Sequence, residues 1–200
     1  SLCPGAPLDG YPVTRRWVGH RPLVSSGSRH DRARQLCSNR SLNSACEQYM
    51  KSLLIIYHSQ SGACAQLSRA AWRGARREPD LAVQVLRVWD AGSQHLARAD
   101  GVLLVAAENS GALAGAMKDF LDRTFYPCID RALVLPYALL ISAGNDGRGA
   151  VRQAERILSG YPFTGAAEPL ILRGEVTPQH LQASEDLGQA FAAGLAMGIF

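Results

Sequence analysis

Short, nearly continuous apolar segments alternate with amphipathic segments throughout the chain after residue 50. Apolar runs of this kind, without strict alternation, are typical of parallel strands that are covered on both faces. They predict strands at residues 52–57, 81–88, 101–106, 137–142 and 168–172.

The segments between these strands carry apolar residues at helical spacing, with charged residues on the remaining positions. They predict helices at residues 63–77, 112–124 and 149–159, and a brief helix within residues 90–99. Asn145 or Asp146 is the expected cap of the third. A last helix is predicted from Pro178 to about Ala196, because Thr177 is a good N-cap and proline suits the first helical position.

Five strands that alternate with helices predict an α/β domain with a doubly wound parallel sheet. In such sheets ligands bind beyond the carboxyl ends of the strands, where the strand order reverses. This rule selects three loops, at residues 59–64, 107–112 and 143–148.

Residues 1–49 differ from the rest of the chain, because they lack hydrophobic periodicity and are rich in Ser, Arg, Gly and Pro. This segment holds seven arginines and three acidic residues, so the whole net charge of +4 lies there. A basic arm can bind nucleic acid, but the composition favours a flexible leader, and we do not expect a nucleic-acid partner. We predict a basic, disordered leader at residues 1–49 and one globular domain at residues 50–200.

Composition excludes several classes of protein. No apolar run approaches the roughly 20 residues that cross a bilayer, so we expect no membrane segment and a cytoplasmic location. The five cysteines include no C-x-x-C pair, which indicates free thiols rather than a disulfide framework or a zinc site. The chain also lacks the nucleophile-elbow, zinc-protease and Walker A motifs, and we predict no catalytic side chain and no metal.

The first loop reads Ser59-Gln60-Ser61-Gly62-Ala63-Cys64 between a buried strand and an amphipathic helix. The first N–H groups of a helix have no intrahelical partner and lie at the positive end of its dipole, so they bind anions. The two serines add hydroxyl donors, and Gly62 lets the backbone approach an anion. The helix start also predicts a lowered pKa, and hence a reactive thiol, for Cys64.

The three loops, in this order, resemble the flavodoxin-like fold, and within it the NAD(P)H-dependent FMN reductases and quinone reductases. The first loop is similar to the family's phosphate-binding pattern, with Cys64 in place of the final hydroxyl residue. The segment from Asn109 to Arg123 is similar to the loop after the third strand and its following helix. The third loop, at residues 142–149, is similar to the glycine-rich turn that borders the flavin.

The resemblance implies a strand order of 2-1-3-4-5 and FMN as the cofactor. The residues that it implies for cofactor binding are Ser59, Gln60, Ser61, Gly62, Ala63, Cys64, Glu108, Asn109, Ser110, Gly111, Ala112, Ala143, Gly144, Asn145 and Gly147. Glu108 is expected to face the flavin, where its carboxylate would disfavour an anionic reduced ring.

The function that the resemblance implies is transfer of a hydride from NAD(P)H, as co-substrate, to a quinone or similar small-molecule acceptor. The alternative is a flavodoxin-like domain without redox activity that binds another phosphate-bearing ligand or a protein partner. An electron-transfer flavodoxin is a weaker choice, because such proteins tend to be strongly acidic and residues 50–200 are neutral overall. A homodimer or homotetramer is expected. The apolar connection at residues 125–136, including Tyr126, Ile129 and Leu133, is one candidate interface, and core packing explains its apolar residues equally well.

Overall fold

The strands at the centre of the sheet are apolar because helices cover both faces of the sheet. The computed structural model describes residues 50–200, so the leader predicted at residues 1–49 lies outside the described residues. The elements in chain order are β1 (Lys51–Tyr57), α1 (Ala63–Ala75), β2 (Leu81–Arg87), α2 (Ser93–Leu96), β3 (Gly101–Asn109), β4 (Ala112–Leu113), α3 (Gly115–Asp130), β5 (Leu135–Ala143), α4 (Arg148–Leu158), β6 (Phe163–Gly165), β7 (Leu170–Arg173) and α5 (Pro178–Met197).

The sheet has the order β2-β1-β3-β5-β6, with β7 also paired to β5. All of these pairs are parallel, and the short β4 is antiparallel to β3. Because β5 is the fourth long strand along the chain, the observed order is the predicted 2-1-3-4-5. The doubly wound α/β fold is confirmed.

Successive side chains of a strand point to opposite faces of the sheet, and β1 shows how each face is covered. Leu54 and Ile56 belong to a core cluster that includes Phe120 of α3 and Ala150 of α4. Leu53 and Ile55 belong to the other cluster, which is completed by residues of α1 and α5 such as Leu67, Ala71 and Phe191. Each face of the sheet therefore has its own hydrophobic layer.

Helices α1 and α5 pack on one face with their backbones in close contact. A Cβ added to Gly188 of α5 would lie 2.0 Å from the carbonyl oxygen of Ala71, and one added to Gly74 of α1 would lie 1.8 Å from that of Glu185. Side chains cannot fit there, so glycine at these two positions allows the helices to approach. The N-terminus of α5 is as predicted, since Thr177 Oγ1 accepts a hydrogen bond from His180 N–H at 3.2 Å.

Two short strands lie beside the outer edge of β5, where the sequence predicted a single strand at residues 168–172. β6 pairs with the first part of β5, and β7 pairs with the last part. Pro169 lies between them and has no N–H to donate to a ladder, which favours an interruption there. β6 was not predicted, since Phe-Thr-Gly is too short for a recognisable pattern.

Helix α3 begins later and is longer than the helix that was predicted at residues 112–124. It begins at Gly115 and continues to Asp130, so the expected connection at residues 125–136 is wrong for its first half. Pro127 lies inside α3 although it cannot donate the helical hydrogen bond. Thr124 and Cys128 are buried on either side of it, and this packing maintains the helix.

Two other features follow from the position of α3. Cys128 is a buried helical residue, and Leu133 is also buried, as the core-packing explanation of this segment expects. Tyr126 and Ile129 remain exposed on the helix surface. Within residues 50–200, no helix is long and apolar enough to cross a membrane.

Candidate functional site

The three loops selected from the sequence lie at one edge of the sheet, where β1, β3 and β5 end side by side. The register places Tyr57 opposite Val105 and Ala107 opposite Ser142. His58 N–H then continues the ladder with a hydrogen bond of 3.1 Å to the carbonyl of Val105. The strand ends therefore bring the three loops together, as predicted.

The first loop ends at Gly62, the N-cap residue of α1. Gly62 has a φ of +96°, and no side chain caps the helix. A Cβ built on Gly62 would meet nothing within 4 Å, so the space in front of it is open. The Ser59 hydroxyl accepts a hydrogen bond of 3.1 Å from Gly62 N–H, which fixes the turn. This geometry leaves the first N–H groups of α1 for an external anion, and the exposed Ser61 stands beside them.

The thiol of Cys64 does not take part in this anion site. Its side chain is 2% exposed and packs in the core with Leu53 and Leu67. Burial raises the pKa of the Cys64 thiol to about 11, although hydrogen bonds from backbone N–H groups, including that of Ser142, partly offset the shift. The prediction of a reactive thiol is wrong, because desolvation outweighs the effect of the helix start.

The second loop is a β-hairpin rather than an irregular connection. β3 continues to Asn109, and β4 pairs back with Asn109 opposite Ala112. The two turn residues, Ser110 and Gly111, have φ angles of +51° and +75°, the left-handed values of a type I′ turn. The predicted helix start at residue 112 is therefore wrong. A two-residue Ser-Gly turn between short half-buried segments is the sequence signal that was missed.

The hairpin is attached to the N-terminal end of α4. Leu113 N–H donates a hydrogen bond of 2.8 Å to Gln153 Oε1. A Cβ on Gly149 would lie 1.9 Å from the carbonyl oxygen of Gly111, so the turn rests directly on the first residues of the helix. The second loop and α4 thus form one rigid edge of the site.

The third loop meets the hairpin through Glu108. The Glu108 carboxylate accepts a hydrogen bond of 3.2 Å from the N–H of Gly147, which is the N-cap residue of α4 with a φ of +71°. Asp146 accepts a hydrogen bond from Arg148 N–H at 3.0 Å but is not the N-cap residue that the sequence suggested. The carboxylate of Glu108 therefore stabilises the positive end of a helix dipole instead of standing free beside a ligand.

His58, which follows directly after β1, is a buried polar side chain at the same edge of the sheet. His58 is 9% exposed, and its Nδ1 is buried without a hydrogen-bond partner among the described residues. Burial lowers the pKa of His58. Its ring contacts the indole of Trp89 edge to face, with 6.0 Å between the ring centroids.

Sequence analysis did not select Trp89, which follows β2 and is 64% exposed. It borders a groove of about 270 Å³ beside the first loop. The groove is lined by Tyr57, His58, Ser59, Gly62, Arg87 and Trp89, among others. A large exposed aromatic directly after a predicted strand was the available signal.

Arg123 of α3 holds the loop that carries Trp89. Its guanidinium donates hydrogen bonds to the carbonyl of Val88 and, at 2.8 Å, to that of Ala91. It also pairs with Asp119 at 3.3 Å, one turn earlier in the helix. Arg123 therefore supports the loop after β2 in addition to its ion pair on the helix surface.

The predicted site residues differ in how far they face solvent. Gln60, Ser61, Asn109, Ser110, Gly111, Gly144 and Asn145 are exposed. Cys64, Ala143 and Gly147 are buried and support the loops from behind. A Cβ on Gly144 would meet nothing within 4 Å, so this glycine leaves open space at the third loop as Gly62 does at the first.

A parallel sheet of this order with a glycine-ended loop between β1 and the uncapped start of α1 defines the flavodoxin-like class of α/β proteins. Solved structures agree. An archaeal flavodoxin superposes with a TM-score of 0.65 at 20% identity and covers 72% of this chain and 98% of its own. Flavodoxin 1 from Bacillus cereus gives 0.59 at 18% identity, with 74% and 98% covered. A flavodoxin, the WrbA-like protein from Agrobacterium tumefaciens, gives 0.57 at 15% identity, with 74% and 98% covered.

The family model of the NADPH-dependent FMN reductases matches residues 68–169, which include the second and third loops. The chain belongs to this family. It is an FMN-binding flavoprotein of the oxidoreductase class.

Proposed function

We propose that this protein uses FMN to transfer a hydride from NAD(P)H to a quinone or a similar small acceptor. The observation that carries the proposal is the N-terminus of α1, which has no side-chain cap and opens through Gly62 into free space beside Ser61. FMN supplies the hydride chemistry when it is bound. The protein's part is to hold the phosphate, place the ring and exclude water.

The phosphate of FMN fits the first loop. The N–H groups of Ala63 and Cys64 lie in the first turn of α1, and the hydroxyls of Ser59 and Ser61 can donate further hydrogen bonds. The thiol of Cys64 adds nothing directly, since it is buried. The cradle thus depends on backbone geometry more than on side-chain chemistry.

The flavin ring fits between the hairpin and the third loop. Exposed groups from both loops border this space, namely Asn109, Ser110, Gly111, Gly144 and Asn145. The bond between Glu108 and Gly147 fixes the distance between the two loops. Because the Glu108 charge interacts with the dipole of α4, it opposes an anionic ring less than the sequence suggested.

Cofactor binding can be tested with the purified protein. We expect the yellow absorption of bound flavin, or binding when FMN is added to flavin-free protein. A fluorescence titration should show that FMN binds at least about tenfold more tightly than riboflavin, which has no phosphate for the α1 cradle. Absence of bound flavin together with no binding of added FMN would overturn the proposal.

Two glycine variants make this test specific for the cradle. Gly62→Ala and Gly198→Ala each place a Cβ on a residue with positive φ, +96° and +70° respectively. Gly198 caps the C-terminus of α5, where its Cβ would lie 3.4 Å from Lys51 Nζ, at the start of β1. Both variants should lose about 1 kcal/mol of stability, but only Gly62→Ala should weaken FMN binding.

Catalysis requires a separate assay. The FMN-loaded protein should oxidise NADPH or NADH when benzoquinone is present, as measured by loss of absorbance at the nicotinamide band. Tight FMN binding without any oxidation would favour the alternative, a flavodoxin-like domain without redox activity.

The proposal extends to location and assembly. Its NAD(P)H co-substrate suits the cytoplasm, where the free buried thiols Cys64 and Cys128 would also stay reduced. A homodimer or homotetramer would cover the exposed Tyr126 and Ile129 of α3. Light scattering of the eluting protein measures the assembly, and a monomer at all concentrations would contradict this part of the proposal.

A further inference from the structure

The first loop has neighbours on both sides, because β1 lies between β2 and β3 in the sheet. The second and third loops, which border the proposed ring site, follow β3 and β5 and lie on one side of it. The end of β2 lies on the other side. A ligand held at the first loop can therefore extend in two directions.

The groove of about 270 Å³ beside the first loop lies on the β2 side. Its lining includes Ser59, Gln60 and Gly62 of the first loop, and Arg87 and Trp89 at the end of β2. The groove therefore begins at the proposed phosphate cradle. Pockets for whole small-molecule ligands usually measure about 300–1,000 Å³. A groove of this size suits one part of a ligand whose other part lies elsewhere.

Trp89 gives the groove a surface for an aromatic ring. Its side chain is 64% exposed, although tryptophan is mostly buried in folded domains. The buried His58 ring packs against the indole edge to face. Arg123 holds the backbone on either side of Trp89 through the carbonyls of Val88 and Ala91. An exposed indole that is held in place in this way is suited to stacking with a nucleotide base.

The charge of the groove suits an anion. The exposed guanidinium of Arg87 lines it, and none of its lining residues within residues 50–200 is acidic. Asp90 lines the neighbouring larger groove instead. A guanidinium binds a phosphate group through paired hydrogen bonds. The groove thus combines a cation with an aromatic surface, next to the cradle for a first phosphate.

We propose that this groove holds the adenosine monophosphate half of FAD, with its phosphate on Arg87 and its adenine against Trp89. The first phosphate of FAD occupies the α1 cradle, and the flavin ring lies at the second and third loops. The inference rests on the proposed function for the position of the flavin. It adds that this chain takes the flavin dinucleotide in preference to FMN, and it names the residues that select it.

The position of the groove favours FAD over a separate nucleotide beside FMN. The groove and the cradle share Ser59 and Gly62, so the phosphate of a free nucleotide there would lie close to that of FMN and repel it. In FAD the two phosphates belong to one molecule, and translational and rotational freedom is lost only once on binding.

Calorimetric titration of the flavin-free full chain with FAD and with FMN tests the groove without any catalytic step. We expect FAD to bind at least about tenfold more tightly, because only FAD carries a base for Trp89 and a second phosphate for Arg87. Trp89→Leu should remove most of this advantage and leave the Kd of FMN unchanged within twofold. Arg87→Gln should weaken the binding of FAD more than that of FMN. An unchanged urea midpoint shows that each variant is folded.

Arg69→Gln is the matched control for Arg87→Gln. Arg69 is also exposed, but it lines only the neighbouring groove of about 490 Å³ and not the groove beside the first loop. This variant should bind both flavins as the wild type does. An equal loss of FAD affinity in the two arginine variants would show attraction by net charge alone and would overturn the assignment of Arg87.

ADP tests the groove without the flavin ring. Its outer phosphate corresponds to the phosphate in the cradle, and its adenosine monophosphate part corresponds to the half of FAD in the groove. ADP should compete with FMN for the flavin-free chain, and Trp89→Leu should weaken ADP binding about tenfold. ADP that binds without displacing FMN would show a separate nucleotide site and overturn the inference.

The outcomes separate this inference from the proposed function. If FMN binds and the loaded protein oxidises NADPH or NADH, but FAD binds no more tightly than FMN, the inference fails by itself. If FAD binds more tightly through Trp89 but the loaded protein oxidises neither nicotinamide, the proposed function fails and the groove stands.

Discussion

The carboxylate of Glu108, at the end of β3, accepts a hydrogen bond of 3.2 Å from the backbone N–H of Gly147, at the start of α4. This bond joins two loops that are nearly forty residues apart in the chain and that border the proposed flavin ring site. A side chain that the sequence placed against the ligand is thus part of the framework that shapes the site.

Replacement of Glu108 should loosen this edge of the site. Glu108→Ala removes the acceptor and the charge near the α4 N-terminus, so the free energy of unfolding in urea should fall by about 1 kcal/mol. Glu108→Gln keeps an acceptor oxygen and should lose less. Glu168→Ala, at an exposed residue between β6 and β7, is the control and should stay within about 0.5 kcal/mol of wild type. Equal stability of Glu108→Ala and the control would contradict a structural role for the bond.

Arg123 should stabilise the segment that carries Trp89. Arg123→Gln removes the bonds to the carbonyls of Val88 and Ala91, and we expect a loss of about 1–3 kcal/mol and faster hydrogen exchange at residues 88–91. Lys118→Gln breaks only the exposed pair with Asp122 on the same helix and should cost less than about 0.5 kcal/mol. Unchanged exchange at residues 88–91 in Arg123→Gln would show that the guanidinium does not hold this loop.

The contact between α1 and α5 should tolerate no side chain at Gly188. A Cβ there would lie 2.0 Å from the carbonyl oxygen of Ala71, so Gly188→Ala must separate two packed helices. We expect a loss of about 1–3 kcal/mol in chemical denaturation. Gly115→Ala is the matched control, because a Cβ on Gly115 meets nothing within 4 Å and alanine favours the helix. A Gly188→Ala protein as stable as Gly115→Ala would refute the close packing.

His58 should make stability depend on pH. Burial lowers its pKa below the ordinary value of 6.5, so near pH 6 the folded protein binds fewer protons at this ring than the unfolded chain does. The contribution of His58 to stability is complete above about pH 6.5 and is lost as the pH falls below it. Trp89 contacts the ring, and Arg87 lines the same groove.

The variant His58→Asn isolates the contribution of the His58 ring to the pH dependence of stability. Urea denaturation of both proteins between pH 8 and pH 5 should show that the wild type loses stability relative to His58→Asn on acidification. A difference between the two proteins that stays constant over this range would mean that the ring titrates normally in the folded state.

Local sequence patterns predicted an element correctly where residues close together in the chain decide its structure. The apolar runs predicted β1, β3 and β5 because a strand covered on both faces is apolar along most of its length. Thr177 and Pro178 predicted the start of α5 because capping is decided within one turn. The first loop was recognised for the same reason, since Gly62 and its flanking serines act within six residues.

Features that depend on distant residues were missed or misjudged. The helix was predicted to end at residue 124, but α3 continues past Pro127, where Thr124 and Cys128 are buried on either side. Cys64 was expected to be reactive at a helix start, yet the core around Leu67 buries its thiol. The sequence alone does not show whether a side chain at a helix start faces the core or solvent. Nor does it show which residues bury that side chain.

The sequence by itself determined the order of the elements, the strand ends that carry the loops and the glycine turn before α1. These properties follow from periodicity, capping and glycine, which act over short distances. Only the tertiary structure decided the partner of Glu108, the burial of His58 and Cys64, and the meeting of Trp89 with the first loop in one groove. Those outcomes depend on which parallel strands are neighbours, and this is fixed by packing of the whole sheet rather than by any local segment.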